Sequence, residues 1–166
     1  YGYEAGGNGP ESGRHAIRFA PGTGQLGMFQ GAKSYLLETS EGQTLDTYSI
    51  SAGLDYASVG PEHAWLKDIG RVNYSWATDE EAMNAFRDLS RTEGIIPAIE
   101  SSHAVAGAYK ACEDLKTKGY TNPVIIINIS GRGDKDMATA GKWFGYLTDD
   151  QAKALEVTGA HGDTVA

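Results

Sequence analysis

Val124-Ile125-Ile126-Ile127-Asn128-Ile129 leads directly into Ser130-Gly131-Arg132-Gly133-Asp134-Lys135-Asp136, so a short apolar segment ends in a turn of small and charged residues. A short run rich in β-branched side chains is typical of a strand that is covered on both faces, as in parallel sheets with helices above and below. Such sheets bind their ligands beyond the carboxyl ends of their strands. We therefore predict a binding site at residues 130–133.

The order of the predicted elements favours the same architecture throughout the second half of the chain. From residue 71 onward strands and helices alternate, with strands predicted at residues 71–76, 95–99 and 124–129 and helices at residues 79–93 and 104–118. This βαβ succession predicts an α/β fold with three layers, a mostly parallel sheet with helices on both faces. Residues 1–147 are predicted to form the folded part, and residues 148–166, which show no sustained pattern, a poorly ordered tail.

Local signals mark two helix starts and one turn. Thr78-Asp79-Glu80-Glu81 has the pattern of a capping box, with Thr at the cap and Glu three residues later. Pro61 stands at the first position of a helix predicted over residues 62–69. Between residues 24 and 50 an alternating pattern predicts extended segments with a turn at Glu41-Gly42.

Composition limits the class of partner. The 166 residues carry a formal net charge of -8, and the acidic residues are scattered along the chain. Nucleic acids and anionic membrane surfaces need basic patches, so neither is a predicted partner. No segment approaches the roughly 20 apolar residues of a membrane span. We therefore expect a cytoplasmic protein that handles small molecules.

The number and spacing of the cysteine and histidine residues argue against a disulfide framework and against a zinc site. A single cysteine, Cys112, excludes an intramolecular disulfide framework. Zinc sites need ligands at characteristic short spacings. The histidines are too far apart for that, so no protein-ligated zinc is expected; they are His15, His63, His103 and His161.

Two loops are predicted to follow buried strands and to face one crevice. In the first loop, Glu100 is either a functional carboxylate or a charge that interacts with the helix dipole, and Ser101 or Ser102 is the predicted N-cap. In the second loop, Ser130 lacks the glycine that a nucleophile elbow requires two residues earlier, so we predict that its hydroxyl donates to a ligand. Asp55, in a separate glycine-containing loop, is either a turn residue or a substrate contact.

Three ordered motifs resemble the tryptophan synthase beta subunit family. They are Ser49-Ile50-Ser51-Ala52-Gly53-Leu54-Asp55-Tyr56 with Ser58-Val59-Gly60-Pro61-Glu62-His63-Ala64, then Glu93-Gly94-Ile95-Ile96-Pro97-Ala98-Ile99-Glu100-Ser101-Ser102-His103-Ala104, then Asn128 to Asp136. The resemblance extends from about Tyr3 to Asp136 and covers only the carboxyl-terminal part of that family's chain. It implies that residues 1–147 are an incomplete part of a two-domain fold, with more chain expected upstream of Tyr1.

The resemblance implies a lyase of tryptophan biosynthesis that uses pyridoxal phosphate. Such enzymes join L-serine to indole by β-replacement, releasing water and forming L-tryptophan. Ser130 matches the serine whose hydroxyl forms a hydrogen bond with the pyridine nitrogen of the cofactor. A hydroxyl cannot hold a proton on that nitrogen as a carboxylate would, which favours β-elimination and replacement over transamination. Glu100 matches the carboxylate beside the cofactor ring.

Residues of the 49–64 motif match the substrate side of the same family. Gly53 matches the loop that lines the indole side of the pocket. Asp55 matches the aspartate that pairs with an arginine when the enzyme closes over the serine-derived group. Tyr56 and Ser58 match positions whose backbone carbonyls bind a monovalent cation, sodium or potassium, and carbonyl oxygens suit such a hard ion.

The sequence also departs from the family pattern. The Schiff-base lysine and the acid-base glutamate lie in family motifs that this chain lacks, so the resemblance assigns no catalytic residue here and implies that the chain alone is inactive. At the aromatic pair that flanks the indole path in some members this chain has Phe29 and Gln30, which leaves indole gating open.

The resemblance implies that the full-length beta subunit is a homodimer that partners an alpha subunit. Two other functions stay open from the sequence. One is a related pyridoxal-phosphate β-replacement enzyme with a thiol nucleophile, and the other is a non-catalytic scaffold fragment.

Overall fold

The structure, a computed structural model, describes residues 1–160, with side chains through residue 156. The strands in this range are β1 (Gly2–Ala5), β2 (Gln25–Phe29), β3 (Ala32–Leu36) and β4 (Tyr74–Ala77). The α-helices are α1 (Pro61–Asp68), α2 (Asp79–Glu93), α3 (Ile99–Thr117), α4 (Met137–Trp143) and α5 (Asp149–Ala160). Short 3₁₀ turns occupy Pro10–Ser12 and Asp134–Asp136.

The strands form two small sheets. β1 and β4 pair in parallel, with Gly2 opposite Tyr74 and Ala5 opposite Ala77. β2 and β3 form an antiparallel hairpin whose two-residue turn, Gln30-Gly31, has φ angles of 48° and 79°, as a tight hairpin turn requires. A parallel pair with helices packed on it is an α/β arrangement, so the predicted α/β class is confirmed.

Small side chains bring the helices close to the parallel strands. α3 packs on β1, β4 and α2, and Ala77, Ala85, Val105 and Ala106 form a buried cluster between these elements. Gly107 in α3 lies against Tyr3, since a Cβ there would come within 2.2 Å of the tyrosine ring. A second cluster contains Met83, Phe86, Ile99 and Ala140, and it joins α2 and α3 to α4.

The locally encoded elements are confirmed. Thr78 and Glu81 form both hydrogen bonds of the capping box at the start of α2, and Gly94 ends that helix in the left-handed conformation. α1 begins at Pro61 as predicted. A turn also closes at Gly42, whose N–H donates to the carbonyl of Thr39 at 3.0 Å.

Residues 124–129 do not form the strand that the sequence predicts. Val124 and Ile126 are each 92% exposed, whereas Ile129 packs on the cluster between β4 and α3. A strand needs a neighbour that pairs with its backbone, and none of the described strands pairs with this segment. The prediction of a strand covered on both faces is therefore wrong for this chain.

Residues 95–99 are also not a strand. A single bridge joins Pro97 to Arg132, Ile95 and Ile96 are about half exposed, and Ile99 is already the first residue of α3. The helix therefore starts five residues before the predicted Ala104. Its backbone carbonyls and N–H groups pair within the helix rather than across a sheet.

The capping prediction at the start of α3 is wrong for the same reason. Ser101 and Ser102 lie inside the first turn, and the N-cap residue is Ala98, which has no side-chain cap. The hydroxyl of Ser102 instead donates to the carbonyl of Ala98 at 3.0 Å.

The end of the chain is more regular than the sequence suggests. Residues 149–160 form α5 where a poorly ordered tail was predicted, and α4 and α5 pack against each other. Residues 161–166 of the predicted tail lie outside the described residues. None of the helices within residues 1–160 is long and apolar enough to cross a membrane.

Candidate functional site

Three segments that are distant in sequence meet at the start of α3. They are the loop at residues 51–55, the first turn of α3 at residues 99–103, and the loop at residues 130–136. Hydrogen bonds join the first turn of α3 to both loops, from Gly53 on one side and from Gly131 and Lys135 on the other. Both loops predicted to face one crevice are therefore brought together with the Gly53 loop.

Glu100 lies at the centre of this junction. Its Oε1 accepts a hydrogen bond from the backbone N–H of Gly53 at 3.0 Å, and its Oε2 lies 2.9 Å from Nζ of Lys135. Burial raises the pKa of the Glu100 carboxyl, but the hydrogen bonds from Lys135 and from backbone N–H groups outweigh it, so the pKa lies below its ordinary value. Glu100 is therefore an ionised, oriented carboxylate at neutral pH.

Gly53 is needed because the backbone approaches Glu100 closely. A Cβ on Gly53 would come within 2.7 Å of Oε1 and 3.0 Å of Cγ of Glu100. Any larger residue would push the carboxylate away from the Gly53 N–H.

The loop at residues 130–136 is fastened to the residues just before α3. Ala98 donates to the carbonyl of Gly131 at 3.0 Å, and Gly133 donates to the carbonyl of Ile96 at 2.9 Å. A Cβ on Gly133 would come within 2.1 Å of the carbonyl oxygen of Pro97, so this position has room for glycine alone. The loop is thus held in place by backbone pairing.

Asp136 supplies the helix cap that the residues before α3 do not provide. Its Oδ2 accepts from the N–H of Ile99 at 3.0 Å, while its Oδ1 lies 2.8 Å from Nζ of Lys135. A carboxylate at a helix N-terminus also interacts favourably with the helix dipole. Lys135 therefore bridges the capping carboxylate and Glu100.

Ser130 begins this loop with an exposed side chain. Its neighbour Gly131 donates its N–H to Oγ of Ser101 at 3.2 Å, which fixes the backbone at this point. The hydroxyl of Ser130 itself has no hydrogen-bond partner among the residues that the structure describes. The backbone beside Ser130 is thus held in place, and its side-chain hydroxyl is free to donate to a ligand.

Behind the junction lies a buried polar group formed by Ser51, Asp55, Asp79 and His103. Ser51, Asp79 and His103 are each 1% exposed, and one polar side-chain atom of each of the four residues is buried without a hydrogen-bond partner in the described part of the chain. Burial raises the pKa of Asp79 and lowers that of His103. Asp79 also accepts from the N–H of Ile50 at 3.1 Å, so it ties this loop to the start of α2.

Asp55 is partly buried beside this group. Its backbone N–H donates to the carbonyl of Ser51 at 3.1 Å, which closes the turn that carries Gly53. The prediction that Asp55 pairs with an arginine stays a prediction, because no ion pair of Asp55 occurs among residues 1–160.

Tyr56 and Ser58 continue the chain away from Glu100. The carbonyl of Tyr56 accepts from Nη1 of Arg18 at 2.6 Å, and Ser58 pairs with Leu36 of β3 through a single bridge. The ring of Phe29 packs edge-on against Tyr56 with centroids 5.7 Å apart. Gln30 lies in the adjacent hairpin turn, so the hairpin tip reaches the loop that contains Asp55.

Sequence reasoning missed several residues of this site. Lys135 and Asp136 belong to the turn at residues 130–136. The sequence pattern does not indicate which carboxylates form ion pairs with Lys135. Arg18 carries no recognisable motif. Asp79 belongs to the capping-box motif, and its spacing of 24 residues from His103 gives no local signal that both side chains are buried.

Comparisons with known proteins identify the family. No family model matches the chain. It is 58% identical over 149 residues to the tryptophan synthase beta chain of Mycobacterium tuberculosis (strain CDC 1551 / Oshkosh), which covers 90% of this chain and 34% of the relative. It is 51% identical over 159 residues to that of Streptomyces coelicolor, covering 96% of this chain and 36% of the relative. The match to that of Bordetella parapertussis is 51% over 141 residues, or 85% of this chain and 34% of the relative.

The fold and the candidate site define an α/β protein in which an oriented carboxylate, Glu100, and an unpaired hydroxyl, Ser130, belong to two segments that meet at the start of α3. Within that class, the chain belongs to the tryptophan synthase beta chain family and corresponds to a carboxyl-terminal portion of it. The chain spans about a third of the length of the curated relatives that it matches.

Proposed function

We propose that this chain is the carboxyl-terminal part of a tryptophan synthase beta chain and that the full-length protein is a pyridoxal-phosphate-dependent lyase. Its reaction joins L-serine and indole into L-tryptophan with release of water. The observation that carries this proposal is the junction itself. The loop that begins with the unpaired hydroxyl of Ser130 meets the first turn of α3, where Glu100 is an oriented carboxylate bonded to the backbone N–H of Gly53.

The residues present fit the cofactor on the side that they would contact. Pyridoxal phosphate supplies an electron sink for the carbanion formed at the α-carbon of serine. The Ser130 hydroxyl has no competing partner among the described residues, and Gly131 is anchored to Ser101. The hydroxyl is therefore available to donate to an unprotonated ring nitrogen without losing another hydrogen bond.

Glu100 would act by orientation and charge. Lys135 and the N–H of Gly53 hold its two oxygens in place, so the carboxylate cannot turn freely toward solvent. Gly53 and Asp55 belong to one closed turn, and a movement of this turn would carry both toward or away from the substrate. Such closure keeps water away from the reacting atoms.

The remaining parts of the site would come from the rest of the full-length protein. By the family resemblance, the lysine that would bind the cofactor covalently and the acid-base glutamate would lie in the portion of the full-length protein outside this chain. We therefore expect the chain alone to be inactive. We further propose a cytoplasmic homodimer of full-length beta chains that binds an alpha subunit as its partner.

The first experiment measures tryptophan formation by the full-length protein from L-serine and indole in the presence of pyridoxal phosphate. A parallel reaction with sulfide in place of indole tests the thiol alternative. Tryptophan formation supports the proposal, whereas cofactor binding with product from sulfide alone contradicts the assigned substrate. If residues 1–166 alone give the visible absorption of lysine-bound cofactor, the proposed division of the site is wrong.

A matched pair of glycine variants tests the junction. Gly53→Ala must displace the Glu100 carboxylate, and we expect kcat/KM of the full-length protein to fall at least about tenfold, equivalent to about 1.4 kcal/mol. Gly60→Ala is the control, because the nearest atom to its added Cβ is 4.0 Å away. Equal activities of the two variants would argue against a role for the Gly53–Glu100 contact.

A further inference from the structure

The backbone carbonyl of Tyr56 already accepts a hydrogen bond from a buried, positively charged side chain, Arg18. Nη1 of Arg18 donates to this oxygen at 2.6 Å, and Arg18 is only 7% exposed. Tyr56 is one of the two residues at which the family resemblance implies a sodium or potassium ion. An added ion at this oxygen would face the guanidinium at short range, and two positive charges in a poorly solvated place repel each other strongly.

The position of Arg18 is fixed by a buried acid. Nε of Arg18 lies 2.9 Å from Oε1 of Glu4, which is itself 5% exposed. The Glu4 oxygens also accept from the backbone N–H groups of Arg18 at 3.0 Å and of Phe19 at 2.9 Å. Because Glu4 lies in β1, the guanidinium is anchored to the parallel sheet and reaches from there to the loop of Tyr56.

The guanidinium of Arg18 brings a positive charge and an N–H donor to the carbonyl of Tyr56, where the resemblance implies an ion. Arginine stays protonated at physiological pH and presents several N–H donors in a fixed plane, so one group can pair with a carboxylate and a carbonyl together. Because the guanidinium of Arg18 already binds the carbonyl of Tyr56, this oxygen does not fit an added monovalent cation.

We propose that Arg18 takes the place of the monovalent cation at the carbonyl of Tyr56 and holds the loop of Asp55 and Tyr56 with a built-in positive charge. Arg18 is thus a positioning residue, and the full-length protein does not require sodium or potassium at this point. The inference rests on the proposed function for its expectation of a cation. Its test does not use tryptophan formation, so the two can fail separately.

The experiment measures how the thermal unfolding temperature of the full-length protein depends on potassium or sodium chloride, replaced by tetramethylammonium chloride at constant ionic strength. Sodium binding is measured in parallel from the ²³Na NMR linewidth. For the wild-type protein we expect a change below about 1 °C and no saturable binding. Arg18→Met frees the carbonyl, and we expect saturable stabilisation by potassium or sodium of about 4 °C or more, as a ligand of the native state produces.

Three further variants separate charge from structure. Arg18→Lys keeps a positive charge and should stay insensitive to the ion. Glu4→Gln with Arg18→Met avoids leaving a buried unpaired carboxylate and should gain the ion dependence even if the single variant does not fold. Arg14→Met is the control, since Arg14 is exposed and its guanidinium lies over the ring of Tyr48.

Two results would overturn the proposal. One is saturable stabilisation of the wild-type protein by potassium or sodium that equals that of Arg18→Met. The other is indifference of the wild-type protein and of both charge-removing proteins to the ion, because Arg18 would then replace nothing.

Discussion

Burial and hydrogen bonding act in opposite directions on the carboxyl group of Glu100. Burial alone would raise its pKa, while the ammonium of Lys135 and the N–H of Gly53 lower it further than burial raises it. Lys135 is held in turn by the capping carboxylate of Asp136. The charge state of one side chain is thus set by residues from two other segments.

Replacing Lys135 by methionine is expected to raise the pKa of Glu100. The depressed pKa contributes stability that is present above about pH 4.3, the ordinary range of glutamate, and that is lost as the pH falls through the lower folded-state value. Since Lys135 is 54% exposed, the variant should lose less than about 1 kcal/mol at neutral pH. The difference in unfolding free energy between variant and wild type should shrink in acid.

The measurement is the ¹³C NMR titration of the Glu100 carboxyl, together with urea unfolding at several pH values. Lys116→Met is the control, because Lys116 pairs with Glu113 at an exposed position away from the site. An unchanged pKa of Glu100 in Lys135→Met would show that the ammonium does not set it.

At the scale of single residues, the sequence indicates which residues are candidates for the site but not which side chains they contact. Glu100, Gly53 and Ser130 follow from motifs that resemble a known family, and the structure brings Glu100 and Gly53 into contact. Lys135 and Arg18 could not be assigned, because the partner of a long charged side chain depends on the packing of segments that are distant in sequence.

Among the elements, α2 contains its own start signal. Thr78 donates its backbone N–H to Oε2 of Glu81 at 2.8 Å, and its hydroxyl oxygen accepts from the N–H of Glu81 at 3.3 Å. Both partners lie three residues apart, so the sequence alone predicts the helix. The predicted strands at residues 95–99 and 124–129 had no such local determinant, since a strand exists only beside a paired neighbour.

Thr78→Ala removes the hydroxyl that accepts from Glu81 and should lower the free energy of unfolding by about 1 kcal/mol. Guanidinium denaturation of the chain measures this change. Thr92→Ala in the same helix is the control, because its exposed hydroxyl donates to the carbonyl of Asp88, which is already within the helical backbone. A loss at Thr92 as large as that at Thr78 would contradict the capping role.

Across the whole molecule, the apolar surface is distributed unevenly. Val124 and Ile126 are almost fully exposed, although both are strongly β-forming and apolar. By contrast, Ile125 is half-buried and Ile129 packs on the cluster between β4 and α3, while Ile127 is 38% exposed. One side of the segment therefore packs partly on the protein, and the other side is exposed to solvent.

If the rest of the full-length protein covers the exposed side of this segment, Val124→Lys should destabilise the full-length protein far more than it destabilises residues 1–166. In residues 1–166 the change should alter the free energy of unfolding by no more than about 0.5 kcal/mol, as at other exposed positions. In the full-length protein it should cost about 3 kcal/mol or more, because an unpaired charge would be buried. Tyr146→Lys, at a position 77% exposed, is the control, and equal effects of Val124→Lys in both contexts would show that nothing covers this segment.

The cap of α3 also affects the order in which the molecule can assemble. Asp136 and Ile99 are 37 positions apart, whereas the cap of α2 spans only three. During synthesis from the amino terminus, the cap of α2 can form as soon as its first turn leaves the ribosome, but the cap of α3 must wait until the chain extends past residue 136. Closing a long loop costs more entropy and slows folding. The proposed binding edge is therefore expected to be the last part of this region to become ordered.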